Sequence, residues 1–348
     1  MTRPHDPLRL RLDGDALVSN WRWLAGMSGR AACGAAVKAD AYGVGAHETV
    51  KRLADAGCRD FFVATWAEAD AVLPHIGEAS LSVLHGLAEE DMAQATGSRA
   101  RPVLNTPSQV KRWRESRQGR ACDVMIDTGM NRLGLSAAHV AEGLLDGLDI
   151  DTLHSHLACA DEDVAMNGRQ REALLAVSAK VPARRLSLSN SAGICLGADY
   201  AFDLTRPGLA LYGGVPRREA EGHIRQVVEV EAQIVQRRRI GRGDTVGYNA
   251  TLTADRGMEL AILNLGYADG YLRGFSNSGR AKIGGSYGPV VGRVSMDLTA
   301  ICVDAAPELA EGDWVELDFD LPRAAAQSGL SQYELLTTLG ARYRRIWS

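Results

Sequence analysis

Ala31-Ala32-Cys33-Gly34-Ala35-Ala36-Val37-Lys38 is a run of small and apolar residues that stops at a lysine and passes at once into Ala39-Asp40-Ala41-Tyr42-Gly43. A short run of this texture, ended by a turn, reads as a buried strand. Seven similar runs follow: Phe61 to Trp66, Leu81 to Gly86, Arg101 to Thr106, Cys122 to Asp127, Ile150 to Leu157, Arg185 to Ser189 and Ala201 to Thr205. Each precedes a tight turn or a segment with apolar residues at helical spacing. Eight alternating units predict an N-terminal (β/α)8 TIM-type barrel, because each parallel strand needs a crossover helix and eight units close the ring. A doubly wound open sheet is the alternative. Gly43-Val44-Gly45 is too short for the glycine fingerprint such a sheet usually carries after its first strand.

Beyond Val227 the texture changes. Val228 to Ile234, Glu259 to Leu265, Pro289 to Arg293 and Trp314 to Phe319 alternate or run apolar over short lengths between glycine-rich turns. These are strand signals without crossover helices. The chain therefore divides into an α/β domain over residues 1–226 and a mostly β C-terminal domain over 227–348, with the first strand open to joining the latter. Gln332 to Leu339 reads as helical and precedes a basic-aromatic end.

Composition narrows the classes. Hydrophobic residues make up 46% of the 348 and charged residues 24%, which suits a folded chain with a sizeable core. A net charge of -4 offers no footprint for nucleic acid, and Arg237-Arg238-Arg239 is too short to be more than a solvated face. The six cysteines show no Cys-x-x-Cys spacing, so neither a structural zinc nor a disulfide scaffold is expected and a reducing compartment fits. Met1 to Leu12 alternates polar and apolar residues and has no signal-peptide core, and no stretch approaches a membrane span, so a cytoplasmic protein is expected.

In a barrel, chemistry gathers just past the carboxyl ends of the strands. Lys38 stands there in a small-residue neighbourhood, where partial desolvation would lower its pKa and ready its amine for a carbonyl group. From position alone, a lysine reaching solvent along its stem is the commoner case. Asp127-Thr128-Gly129-Met130-Asn131-Arg132-Leu133-Gly134 sets Arg132 after the fifth strand, suited to an anionic oxygen or to the surface. His154 and His156 share one face of the sixth strand. A metal pair is the weaker reading, since no third ligand supports it, so no metal site is expected. Ser189-Asn190-Ser191-Ala192-Gly193 and Arg206-Pro207-Gly208-Leu209 follow the seventh and eighth strands, where barrels often bind phosphate. Singly, each reads as a turn. Together with a reactive lysine they describe a pocket for pyridoxal phosphate.

Ala36 to Gly43 resembles the cofactor-lysine motif of the alanine racemase family. Asp127 to Gly134, Gly266-Tyr267-Ala268-Asp269-Gly270 and Gly292-Arg293-Val294-Ser295-Met296-Asp297 match further motifs of that family in its order, so the resemblance spans nearly the whole chain. It implies a pyridoxal-phosphate racemase of alanine that supplies D-alanine for peptidoglycan. Lys38 would carry the cofactor and act as base on one face; Tyr248, in Val246-Gly247-Tyr248-Asn249-Ala250, would act on the other. Tyr42, Ser191, Tyr343 and the backbone at Gly208 and Leu209 would hold the phosphate, with Asn190 close by. Arg132 would meet the ring oxygen and the substrate carboxylate, His156 would lie against the ring, and Arg206 would face its nitrogen. Tyr267 and Met296 would line the substrate, Met296 from a neighbouring subunit, and Asp161, Arg273 and Arg293 would line the entrance.

The resemblance further implies a head-to-tail homodimer with shared sites. One departure stands out. Many relatives carry a lysine, reported as carbamylated, two residues before the Asp-Thr-Gly-Met motif; here that position is Met125, so Arg132 must be braced otherwise, by a bound anion or a different side chain. Among rivals, a racemase of broader specificity is separated only weakly by sequence. A barrel decarboxylase lacks the later motifs, and a non-catalytic cofactor-binding barrel lacks the second domain.

Overall fold

A computed structural model describes residues 6–116 and 119–348; the start of the Met1 to Leu12 stretch lies outside them. It divides into two compact units, one of Leu17–Leu211 and Val215–Arg225, the other of Met1–Ala16, Tyr212–Gly214 and Gln226–Ser348.

The first unit is the curled parallel sheet. Its strands are β1 (two pieces, Ala32–Cys33 and Ala35–Ala36), β2 (Asp60–Val63), β3 (Ser80–Val83), β4 (Arg101–Leu104), β5 (Cys122–Met125), β6 (Ile150–His154), β7 (Ala183–Ser187) and β8 (Leu204–Thr205). Seven of them, from Ala35–Ala36 through β7, form one ladder in sequence order. The eighth pairs in parallel with Ala32–Cys33. Backbone bonds from Asp203 N to Leu186 O (3.1 Å) and from Arg206 N to Ser189 O (2.8 Å) tie β8 to β7 as well. Strand residues such as Phe61, Val83, Val103, Val124 and Leu153 are fully or almost fully buried, which explains why these strands read as continuous apolar runs. Gly34 sits where β1 is interrupted, and a Cβ there would stand 2.6 Å from Asp60 O.

Strand limits differ from the sequence expectation where side chains misled. β7 starts at Ala183, ahead of the expected Arg185. Its arginines disguise it. The eighth strand shrinks to Leu204–Thr205 because Ala198–Tyr200 forms a 3-10 turn and Phe202 is left-handed (φ 51°).

The second unit is mostly sheet. Leu8–Leu12 runs antiparallel to Val228–Ile240 and parallel to Arg344–Trp347. Leu8, Leu10 and Leu12 are buried, while Arg9 and Arg11 pair across the strands with Glu231 and Glu229. Met258–Leu263 pairs with the far half of Val228–Ile240 and with Thr299–Cys302. Arg280–Ile283, with its hairpin partner Ser286–Pro289, joins through Trp314–Leu317. Of these, Leu8–Leu12, Arg280–Ile283, Thr299–Cys302 and Arg344–Trp347 are strands that the texture alone does not mark. The helix expected near Gln332 runs over Gln332–Thr337.

Candidate active site

Lys38 lies two residues past the end of β1 and opens a left-handed turn. Ala39, Asp40, Ala41 and Tyr42 all have φ between 51° and 56°, a conformation that costs an L-residue about 1–2 kcal/mol each. Backbone bonds from Ala41 N to Val37 O and from Gly43 N to Ala39 O, both 2.9 Å, close it, and the Asp40 carboxylate accepts from Ala46 N at 2.7 Å. The turn buries Tyr42 and leaves Lys38 partly covered. Burial lowers the Lys38 pKa, and the nearby Arg132 and Arg206 lower it further against the opposing pull of Glu68.

Arg206, just past β8, is buried and donates in several directions: to Ser155 O at 2.8 Å, to Ser187 Oγ, and towards Nδ1 of both His154 and His156 at 3.4 Å. A guanidinium has only donors, so both imidazoles present a bare Nδ1 to it and carry their hydrogen on Nε2. Burial pushes the His156 pKa down to about 3, helped by Arg206, Arg132 and Lys38. Burial likewise takes His154 to about 4, Asp123 opposing and Arg206 assisting. Both rings are neutral at ordinary pH. A cation between them argues against a metal pair, and no group of three metal-ligating side chains occurs among the described residues. Arg206 itself is lowered by burial to about 10, with Asp123 resisting.

Arg132 is exposed in the loop after β5. Backbone holds that loop: Asp127 N bonds Leu135 O at 2.9 Å, Leu135 N bonds Met125 O at 2.8 Å, and the Asp127 carboxylate accepts from Gly129 N and Asn131 N. Gly134 is needed, since a Cβ there would meet Asp127 N at 2.6 Å. Met125 is buried at the end of β5, and these bonds, the Asp127 carboxylate among them, shape the loop that carries Arg132.

The expected phosphate corner is assembled in the same unit. Asn190 caps the short helix Ser191–Cys195 by accepting from Gly193 N at 2.9 Å. Ser191 Oγ accepts from Gly208 N (3.0 Å) and Ala210 N (3.2 Å). A Cβ on Gly208 would lie 2.2 Å from Tyr42 Oη, so Tyr42, Ser191 and the Gly208-Leu209 backbone converge. Asp161 stands exposed in the loop after β6.

The second unit gathers its own set. Tyr248 is 65% exposed on a turn after Gly247 (φ 74°), where a Cβ would press on Arg293 N at 3.1 Å. Tyr267 N and Ala268 N bond Ser295 O and Met296 O, each at 3.0 Å. The Arg273 guanidinium lies 5.0 Å from the Tyr267 ring centre. Arg342 fastens the group by bonding Asp269 at 2.6 Å and Asp297 at 2.7 Å. Next to it Tyr343 Oη is buried without a hydrogen-bond partner, and burial raises its pKa well above the ordinary value. Sequence reasoning passed over Arg342, as it did the contribution of Asp123; neither sits in a distinctive local pattern.

Two family models match the chain: alanine racemase, N-terminal domain, over residues 12–216, and alanine racemase, C-terminal domain, over 227–347. An alanine racemase of Acidiphilium cryptum is 42% identical over 97% of this chain and 98% of its own. One named biosynthetic from Agrobacterium fabrum is also 42% identical, over 97% and 93%. The crystal structure of alanine racemase from Bartonella henselae with covalently bound pyridoxal phosphate superposes with a TM-score of 0.92 at 34% identity, covering 98% of this chain and 99% of that one. Matched along both domains and at this level of identity, the chain belongs to the alanine racemase family.

Proposed function

We propose that this chain interconverts L- and D-alanine with pyridoxal phosphate held at the barrel mouth, and that the D-alanine serves peptidoglycan synthesis. The observation that carries the reading is Lys38, lowered in pKa by burial among Arg132 and Arg206, in a chain of this family. The residues fit the cofactor. Ser191, Tyr42 and the glycine backbone at 208 surround a corner that any side chain at 208 would fill, and Arg132 and Arg206 offer positive charge for anionic oxygens. When bound, pyridoxal phosphate supplies a conjugated electron-withdrawing ring that makes the substrate's α-proton removable.

Inverting a stereocentre requires a proton to leave one face and another to arrive at the opposite face, so two acid/base groups are needed. Lys38 Nζ serves one face and Tyr248 Oη the other. Arg206, a donor-only group, would disfavour protonation of the ring nitrogen. His156, with Nδ1 towards Arg206, would lie against the ring. Arg132 orients the substrate carboxylate. Tyr42, Ser191, Gly208, Leu209 and Tyr343 would hold the phosphate, beside Asn190. Tyr267 and Met296 limit substrate size, with Asp161, Arg273 and Arg293 at the entrance.

The working form is a cytoplasmic head-to-tail homodimer in which Tyr248 of the partner subunit completes each site. Exposure of Tyr248, Met296 (53%) and Leu298 (40%) supports it, and no described helix is long and apolar enough to cross a membrane. Purified protein is expected to be yellow and to erase the optical activity of L-alanine. Tyr248→Phe should keep the colour and lose about 10²–10⁴-fold in turnover. Normal racemisation by Tyr248→Phe rejects the two-base assignment, and full activity in a monomer rejects the shared site.

A further inference from the structure

Glu68 opens no pocket and belongs to none of the motifs above, yet its carboxylate joins two elements. Thr65-Trp66-Ala67-Glu68 is a capping box: Thr65 Oγ1 accepts from Glu68 N at 3.3 Å, and Glu68 Oε2 accepts from Thr65 N at 3.3 Å and from Ala64 N at 2.6 Å. That much is ordinary helix initiation. The other oxygen, Oε1, leaves the helix and accepts from Ala39 N at 2.8 Å. Ala39 is the residue after Lys38 and the first of four left-handed ones.

We propose that Glu68 is a positioning residue for Lys38, its Oε1 fixing the left-handed turn that presents the amine and its negative charge offsetting the cations around it. The inference rests on Lys38 being the cofactor lysine. Two features favour it over capping alone. A capping box needs one acceptor facing the N-cap N–H, and glutamine serves there as well as glutamate. Only a carboxylate can accept at both oxygens from N–H groups of two separate elements. The charged groups that act on Lys38 are Arg132 and Arg206 against its charge and Glu68 for it, while His156 beside them is neutral. Among the groups acting strongly on Lys38, Glu68 supplies the negative charge.

The test uses the full-length protein stripped of cofactor and reloaded with pyridoxal phosphate across a pH series, the adduct being fixed with borohydride and located by peptide mapping. Wild type should form a reducible adduct on Lys38; if it forms none there, the cofactor-lysine reading itself falls. Glu68→Gln keeps the cap but loses the charge and the second acceptor. It should load with its half-maximal rate at lower pH than wild type and release cofactor about tenfold faster, while its melting temperature stays near wild type. Thr65→Ala weakens the cap and spares the arm to Ala39. It should lower the melting temperature and leave the pH profile in place. A Glu68→Gln profile that coincides with wild type, or that is slower at every pH without displacement, overturns the proposal. So does a Thr65→Ala profile displaced like that expected of Glu68→Gln.

Discussion

At the amino-terminal ends of the barrel strands Arg101 and Arg185 stand between carboxylates, whereas at the carboxyl ends Lys38, Arg132 and Arg206 face one another. At the first end, Arg101 reaches Asp123 at 3.1 Å and Asp151 at 3.2 Å, and Arg185 reaches Asp151 at 2.7 Å and Asp60 at 2.9 Å. Ser80 and Ser82 add hydroxyl bonds to Asp60 and Asp123. Burial alone would raise the Asp123 carboxyl; His154, Arg101 and Ser82 outweigh it and hold it below the ordinary range. At the other end the balance is incomplete. Burial and neighbouring cations lower Lys38 against the pull of Glu68, and burial lowers Arg206 against that of Asp123. Strands of one barrel thus carry a paired charge network at one end and an excess of positive charge at the other. Breaking a buried pair by removing one partner is costly, whereas removing one cation from an excess is not.

Substitutions at the two ends should therefore fail in different ways. Lys38→Ala should be colourless and lose on the order of 10⁴-fold or more of its racemisation, yet melt no lower than wild type stripped of cofactor, since it removes a desolvated cation from among others. A lower melting temperature would mean that the mouth is also structural. Asp123→Ala should do the reverse. Arg101 keeps Asp151 but loses Asp123, and Ser82 Oγ and Thr152 N lose their acceptor, which should cost about 1–3 kcal/mol in denaturant unfolding. A loss below about 1 kcal/mol would show that the network contributes little and would dissolve the contrast. Gly208→Ala comes next. Its methyl group would meet Tyr42 Oη, so the hydroxyl must move, and cofactor affinity should fall on the order of tenfold with the fold intact. Unchanged affinity by titration would move the phosphate away from that corner.

The barrel was legible because its strands are buried on both faces and read as apolar runs, and the mouth because four motifs stand in family order. Glu68 left a trace, since Thr-x-x-Glu is a helix-start signature, but nothing local tells that its second oxygen reaches Ala39, residues away in sequence and adjacent only through pairing of β1 with β2. Asp123 and Arg101 offered less still. Each is a lone charge inside a strand, and what makes them a network is the parallel register of β4, β5 and β6. Ala183 and Arg184 hid the start of β7, which was expected only from Arg185, the arginine that points into the paired network. The loop that carries Arg132 is shaped by main-chain bonds and by the Asp127 carboxylate, whose two backbone donors composition does not display.

The smallest effect separates the ends by pH. His154 links them, with Nδ1 towards Arg206 at 3.4 Å and Nε2 facing Asp123 at 3.7 Å, beyond hydrogen-bond length. Its folded pKa of about 4 lies below the ordinary 6.5, so between those values the unfolded chain takes up a proton that the folded chain refuses. Stability contributed by the neutral ring is complete above about 6.5 and drains away as pH falls towards 4, where the folded ring protonates too. Asp123, held below its ordinary 3.8, loses its share only at lower pH. His154→Gln cannot titrate and offers an acceptor to Arg206 and a donor to Asp123. Its unfolding free energy should consequently fall less steeply than that of wild type over the upper window, leaving the lower one unchanged. Parallel curves throughout would assign the acid sensitivity to the mouth, where His156, taken to about 3, follows the same sign over a wider range.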